Sequence, residues 1–203
     1  MARGMTNPIA AIILAAGKGT RMKSDLHKVL HPIAGRPMLL HLMAAVDALA
    51  PAKKVVVVGD KADQIEAALN GSADLAIQEP QLGTGHAVQQ AESALAGFDG
   101  DVLILYGDVP FVPTATMQAM VDRLGAADAP AVVVLAFEPD DALQYGRVIT
   151  DGDRVVKMVE HKDATDAERA VRLCNSGLMA AKARDLFALL ARVTDDNAAK
   201  EYY

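Results

Sequence analysis

Unbroken apolar runs alternate with amphipathic stretches through the first two-thirds of the chain. Pro8–Leu14 (PIAAIIL) is apolar throughout, the pattern of a strand buried on both faces. Pro37–Leu49 then places apolar residues at helical spacing, and Pro37 suits a first turn. Lys53–Gly59 predicts a second strand around VVVV, Ala62–Leu69 a second helix, Leu75–Gln78 a short third strand, and a further helix begins near His86. Asp101–Tyr106 predicts a fourth strand, Thr114–Leu124 a helix, and Ala131–Phe137 (AVVVLAF) another buried strand. Strand and helix in this rhythm make βαβ units, and therefore a parallel sheet with helices on both faces.

Beyond Phe137 the texture changes. Val148–Thr150 and Arg154–Glu160 flank the turn sequence Asp151-Gly152-Asp153 and predict an antiparallel hairpin. Asp163–Arg169 reads as a helical or irregular excursion, Val171–Ala180 as a strand and Ala183–Arg192 as a helix. From there to Tyr203 the chain is mostly polar and shows no terminating element. The fold class is α/β: a three-layer, Rossmann-like domain with a mostly parallel sheet and an added antiparallel hairpin. The 203 residues suit one domain, without internal repeat or interdomain linker.

Candidate chemistry gathers where strands empty into loops. Gly17 and Gly19 follow the first strand, so backbone N–H groups there can close on phosphate oxygens. From Gly17 to Arg36 the five cations Lys18, Arg21, Lys23, Lys28 and Arg36 face only Asp25, a local net of +4 in a chain of net −6. That reversal of sign points to a polyanionic ligand. The loop is neither a Walker A sequence nor the dinucleotide fingerprint, because Met22 stands where the third glycine of G-x-G-x-x-G belongs. Gln78, Gln81, Gly83, Thr84 and Gly85 bring side-chain amides and bare backbone to the next loop, where a base edge can be read. Asp108 ends the fourth strand beside Gly107, open to a hard cation.

Several residues have plain alternatives. Arg21 and Lys28 can be solvated loop charges, Asp108 a turn residue, Glu160 a surface partner of Lys162, and Asn175 a turn cap. His27 and His31 stand four apart, but no third ligand follows at a zinc-site spacing, which favours packing or phosphate contact. Cys174, the single cysteine, lies in an apolar strand and reads as core. An acidic chain with four Phe, four Tyr and no Trp argues against a nucleic-acid face. The lone cysteine, the lack of a signal-peptide pattern and of an apolar run near ~18 residues point to a reducing, cytoplasmic setting without membrane contact. Met1–Thr6 reads as a short lead-in.

The run Leu14–Leu30 (LAAGKGTRMKSDLHKVL) resembles the signature of the sugar-nucleotide pyrophosphorylases. Ala15-Ala16 before Gly17, followed by Arg21 and Lys28, is the version seen in the N-acetylglucosamine-1-phosphate uridylyltransferases. Further segments agree in order: Q-x-x-Q-x-G-T at Gln78–Thr84, YGD at Tyr106–Asp108, YGR at Tyr145–Arg147, VEHKDAT at Val159–Thr165, NSG at Asn175–Gly177, and Asn197-Ala198 with Glu201-Tyr202-Tyr203. The resemblance covers nearly the whole chain. It implies a Rossmann-like nucleotidyltransferase domain that joins UTP to N-acetylglucosamine-1-phosphate, releases pyrophosphate and uses Mg²⁺. It places Leu14, Ala15, Ala16 and Gly17 on uracil and ribose, Arg21 and Lys28 on the phosphates as the catalytic cations, and Gln78, Gln81, Gly83 and Thr84 on uracil and the adjacent sugar. Asp108 takes Mg²⁺, while Gly146, Glu160 and Asn175 hydrogen-bond the N-acetylglucosamine moiety.

Two departures accompany the match. The family's NTG reads NSG here, a loss of one methyl. The family's second metal ligand, an asparagine, and its acetyltransferase β-helix fall outside these residues. The resemblance thus implies one nucleotidyltransferase domain over residues 1–203, truncated at its C-terminal end, with a homo-oligomer formed through the region that is absent. Transfer to another sugar phosphate, an alditol phosphate or a molybdopterin stays open, as does a nucleotide-sugar-binding subunit without turnover.

Overall fold

The computed structural model describes residues 7–19 and 22–202; the expected lead-in Met1–Thr6, and Arg21, lie outside the described residues. The elements follow in the order β1 (Ile9–Ala15), β2 (Pro32–Ile33), β3 (Arg36–Pro37), α1 (Met38–Asp47), β4 (Lys53–Val58), α2 (Ala62–Leu69), β5 (Asp74–Ile77) and α3 (Thr84–Gln89). Then come β6 (Asp101–Tyr106), α4 (Thr114–Leu124), β7 (Val132–Phe137), β8 (Arg147–Asp151), β9 (Arg154–Val159), α5 (Asp166–Arg169), β10 (Cys174–Lys182) and α6 (Ala183–Leu190).

β1 shows why the sheet has two covered faces. Its apolar side chains alternate, so Ala11, Ile13 and Ala15 enter one core with α1, α2 and α4, while Ala10, Ile12 and Leu14 enter the other with α3 and α6. Burying an aliphatic side chain the size of Ile12 or Ile13 contributes about 1.5–3 kcal/mol, and both are fully buried. The result is the expected three-layer α/β arrangement.

The sheet runs β5-β4-β1-β6-β10-β8-β9, with β7 paired to β10. β5, β4, β1 and β6 pair in parallel, and β10 lies antiparallel to β6. β7 and β8 are antiparallel to β10 and so run with β6, whereas β9 turns back along β8 as the predicted hairpin. Most strands therefore point one way, although the half of the sheet beyond β6 pairs antiparallel. One expectation needs correction. β7 is half-exposed rather than buried, because among the described residues it pairs only with β10 and forms an edge.

β10 carries a β-bulge, its register shifting between Asn175 and Met179. The NSG sequence makes it: Gly177 N–H donates to Asn175 Oδ1 at 2.9 Å, and the Ser176 hydroxyl donates to the Leu135 carbonyl at 2.6 Å. Gly177 adopts φ +80°, and a Cβ there would lie 2.7 Å from the Tyr106 ring. The bulge thus seats a glycine under an aromatic side chain at the edge of the site.

Candidate active site

The carboxyl ends of the parallel strands converge, as ligand sites in open α/β sheets do. Leu14 of β1 stands opposite Tyr106 of β6, so the glycine loop and Asp108 emerge side by side. Gly107 N–H donates to the Leu14 carbonyl at 2.9 Å. From the neighbouring strands, Gln78 N–H donates to the Val58 carbonyl at 2.8 Å and starts the Gln78–Thr84 loop. These segments enclose a cavity of about 310 Å³ whose walls include Leu14, Ala15, Ala16, Gly17, Lys28, Gln78, Gln81, Gly83, Thr84 and Asp108. Ten residues read as site residues in the sequence thus share one hollow.

Lys28 and Asp108, read separately as a phosphate contact and a metal ligand, meet each other. Lys28 Nζ donates to Asp108 Oδ2 at 2.5 Å, with the two side chains 39% and 31% exposed. A pair this open to water is weakly held and can exchange partners. Among the described residues Asp108 Oδ1 accepts no hydrogen bond from protein. A single hard carboxylate at the cavity wall suits Mg²⁺, which keeps most of its coordination for water and phosphate oxygens. No group of three His, Cys, Asp or Glu side chains stands together among the described residues.

Gln78 and Gln81 spend part of their hydrogen-bonding capacity on the protein. Gln81 Nε2 donates to the Ala16 carbonyl at 2.5 Å, and a Cβ on Gly59 would stand 2.5 Å from that same Nε2. Gly59, unmarked in the sequence, leaves the room for this bond. Gln78, 4% exposed, donates to the Gly83 carbonyl at 2.9 Å and faces His86 Nδ1 at 3.2 Å. Gly19 lies against Lys28, where a Cβ would come 2.8 Å from Lys28 Cβ.

A second cavity of about 380 Å³ adjoins the first and shares Thr84, Tyr106 and Glu201 with it. Glu160 lines it, and a Cβ at Gly146 would lie 3.0 Å from Glu160 Oε1. Asn175 N–H donates to the Gly146 carbonyl at 2.9 Å, which places Gly146, Glu160 and Asn175 near one another. Arg147, 3% exposed, donates to the carbonyls of Tyr145, Ala142, Leu143 and Arg169 and so fixes the turn that presents Gly146. No Glu160–Lys162 ion pair forms among the described residues. Burial, then the Asp163 carboxylate, pushes the Glu160 carboxyl above its ordinary range.

Tyr106 and Glu201, which line both cavities, carry no role in the sequence reading. Tyr106 enters it only within YGD, yet it lines both cavities; burial pushes its phenol above the ordinary value, with a hydrogen bond to Thr84 opposing. Glu201 belongs to the polar tail, which shows no terminating element in the sequence. That tail docks: Tyr202 N–H donates to the Leu82 carbonyl at 2.8 Å, and Gly85 N–H donates to the Tyr202 carbonyl at 2.7 Å. Asn197 clamps it by donating to the Glu201 carbonyl at 2.6 Å. Cys174 is fully buried, as its apolar strand implies. His27 packs rather than coordinates: it is 4% exposed, and its Nδ1 accepts from Val29 N–H at 3.4 Å.

Residues 11–201 match the MobA-like NTP transferase domain. The chain belongs to the MobA-like NTP transferase family. Within it, the chain is similar to the bifunctional protein GlmU of Sphingopyxis alaskensis, 89% identical over 98% of this chain and 44% of that protein. GlmU of Novosphingobium aromaticivorans is 70% identical with the same coverage. The chain thus spans less than half the length of these relatives. Among solved structures, a UDP-glucose pyrophosphorylase complexed with UDP-glucose superposes with a TM-score of 0.73 at 18% identity, covering 96% of this chain and 83% of that one. HddC from Yersinia pseudotuberculosis superposes at 0.67 with 22% identity, covering 95% and 81%. At such identities the NTP transferase fold is what is shared. No helix among the described residues is long and apolar enough to cross a membrane.

Proposed function

We propose that this NTP transferase domain is a uridylyltransferase, forming UDP-N-acetylglucosamine and pyrophosphate from UTP and N-acetylglucosamine-1-phosphate. The observation that carries the reading is the pair of adjoining cavities with common walls, one holding the glycine loop, Lys28 and Asp108, the other Glu160 beside Gly146. The first suits a nucleotide and the second a sugar. The 89% identity to a GlmU protein supports the same assignment.

In this reaction a phosphate oxygen of the sugar phosphate attacks the α-phosphorus of UTP in line, and the bond to pyrophosphate breaks. Little covalent work falls to the protein, so rate comes from alignment and charge neutralisation. Backbone at Ala15–Gly17 and the Gln78 and Gln81 amides orient the uridine, and Lys28 leaves Asp108 for the phosphates, where each charge-assisted hydrogen bond contributes about 1.5–3 kcal/mol. Arg21 shares that role. Asp108, freed of Lys28, would hold Mg²⁺, which when bound draws the two anionic substrates together and neutralises phosphate charge. Glu160 accepts hydrogen bonds from sugar hydroxyls, and Asn175 and the Gly146 backbone fix the ring.

The test is pyrophosphate release with UTP, N-acetylglucosamine-1-phosphate and Mg²⁺, measured on this chain and on one extended past Tyr203. Release by either supports the reaction, and Asp108→Asn is expected to lower it at least about 100-fold while leaving the Tm unchanged. Absence of release from both, with turnover on a different acceptor, would replace the acceptor; absence with every acceptor would leave a nucleotide-sugar-binding module.

A further inference from the structure

The segment that delivers Lys28 is held from outside the cavity. From Lys23 to the single 3-10 turn at Lys28–Leu30, the chain runs beside the start of α2 without entering a strand. Its backbone groups find partners on that helix. Gln64 uses both ends of its amide: Nε2 donates to the Asp25 carbonyl at 2.9 Å, and Oε1 accepts from His27 N–H at 2.8 Å. The two groups lie two residues apart, so the side-chain amide substitutes for a neighbouring strand. Lys61 Nζ donates to the same Asp25 carbonyl at 2.8 Å and to the Ser24 carbonyl at 3.2 Å.

Lys61 does this from an uncommon conformation. It is the residue before α2 and adopts φ 57°, ψ 36°, in the left-handed region that glycine or asparagine usually occupies. The turn it closes begins at Gly59, whose missing Cβ leaves room for the Gln81–Ala16 hydrogen bond. One turn after β4 therefore braces both the loop that reads the base and the loop that carries the cation. His27 plugs into the core directly before Lys28. A shift of the Asp25–His27 backbone is thereby passed to Lys28 with no flexible residue between.

We propose that Gln64 and Lys61 are positioning residues for Lys28, setting the reach of its ammonium group to Asp108 and to the nucleotide phosphates. The part concerning phosphates rests on the uridylyltransferase reading; the part concerning Asp108 does not. Neither residue lines the nucleotide cavity, so their effect on the reaction passes through the loop.

The decisive experiment compares Gln64→Met, which keeps length and loses both hydrogen bonds, with Lys61→Met, each alone and combined with Lys28→Ala. The first readout is the NMR signal of the Lys28 ε-methylene, assigned by its loss in Lys28→Arg. Both variants are expected to move it toward its position in Asp108→Asn, whether or not the chain turns over. An unmoved signal in a folded variant overturns the proposal. The second readout is kinetic: each single variant is expected to lower kcat about 10-fold or more with KM for the sugar phosphate unchanged, and to cause no further loss in the Lys28→Ala background. Losses that add to that of Lys28→Ala would show a merely structural role and overturn it. If the wild type binds UTP without turnover, the same cycle is read in Kd. If it neither binds nor turns over, the functional reading fails while the NMR result still decides whether Gln64 and Lys61 position Lys28.

Discussion

The carboxylate of Glu160 is half-buried against Gly146, where burial and then Asp163 push its pKa above the ordinary 4.5. A carboxyl whose folded pKa is raised binds its proton more tightly in the native state. Its effect on stability is therefore neutral below the unfolded value, turns unfavourable as pH rises through the gap, and persists as a penalty at pH 7. Glu160→Gln is expected to raise Tm by about 1–2 °C at pH 7, solvent screening allowed for, with the gain vanishing near pH 4. Thermal melts across pH 4–8 check it, and an equal gain at both ends would remove ionisation as the cause. The same variant should bind sugar phosphate less well, since an amide replaces an anionic acceptor. Residue type and position make Gln78 and Asp108 legible as candidates, whereas Glu160 is marked only by the resemblance of its VEHKDAT segment. The Lys28–Asp108 pair is not legible in that way, because 80 residues separate the partners and each has a separate chemical reason to be there. Gly59 is silent for a simpler cause: a missing Cβ announces nothing about which amide needs the space.

Secondary elements are legible wherever a long apolar run or helical period stands alone. α2, β6 and α4 begin and end where the sequence places them, at Ala62–Leu69, Asp101–Tyr106 and Thr114–Leu124. What a local stretch lacks is information about neighbours. AVVVLAF reads the same in the middle of a sheet as at an edge, so the exposure of β7 depends on pairing that no local window contains. The polar tail is hidden in the same way, since its order comes from hydrogen bonds to Leu82 and Gly85 more than a hundred residues earlier. Gly83 makes that docking a testable property. It adopts φ +115°, and a Cβ there would lie 2.5 Å from the Tyr202 carbonyl oxygen and 2.7 Å from its nitrogen, both backbone atoms unable to swing aside. Gly83→Ala is expected to release residues 197–202 while leaving the sheet intact. Amide exchange at Gly85 and Tyr202 should quicken about 10-fold or more with far-ultraviolet dichroism unchanged. Unaltered exchange would mean that the tail is held by something other than this close approach.

At the level of the whole molecule the two cavities belong to different parts of the sheet. The first lies at the ends of the parallel strands β1, β4, β5 and β6; the second adds the segment after β9, with Gly146 ahead of β8 beside its Glu160 wall. β10 joins the halves through its antiparallel pairing with β6 on one side of the bulge and β8 on the other. A ligand that fills both cavities ties these halves together, whereas one that fills only the first leaves the junction as it was. If the proposed reaction is right, UDP-N-acetylglucosamine protects the fold through contacts on both sides. At about 100 times its Kd a ligand adds about 2.7 kcal/mol, which for a domain near 200 residues corresponds to roughly 5–10 °C in Tm. On the proposed uridylyltransferase reading, Glu160→Ala should cut the shift produced by a fixed concentration of UDP-N-acetylglucosamine, yet leave the shift produced by UTP with Mg²⁺ unchanged. Differential scanning calorimetry with each ligand on both proteins separates the cases. Equal loss of protection for the two ligands would mean that Glu160 shapes the nucleotide cavity as well, and that the cavities act as one site rather than two joined across β10.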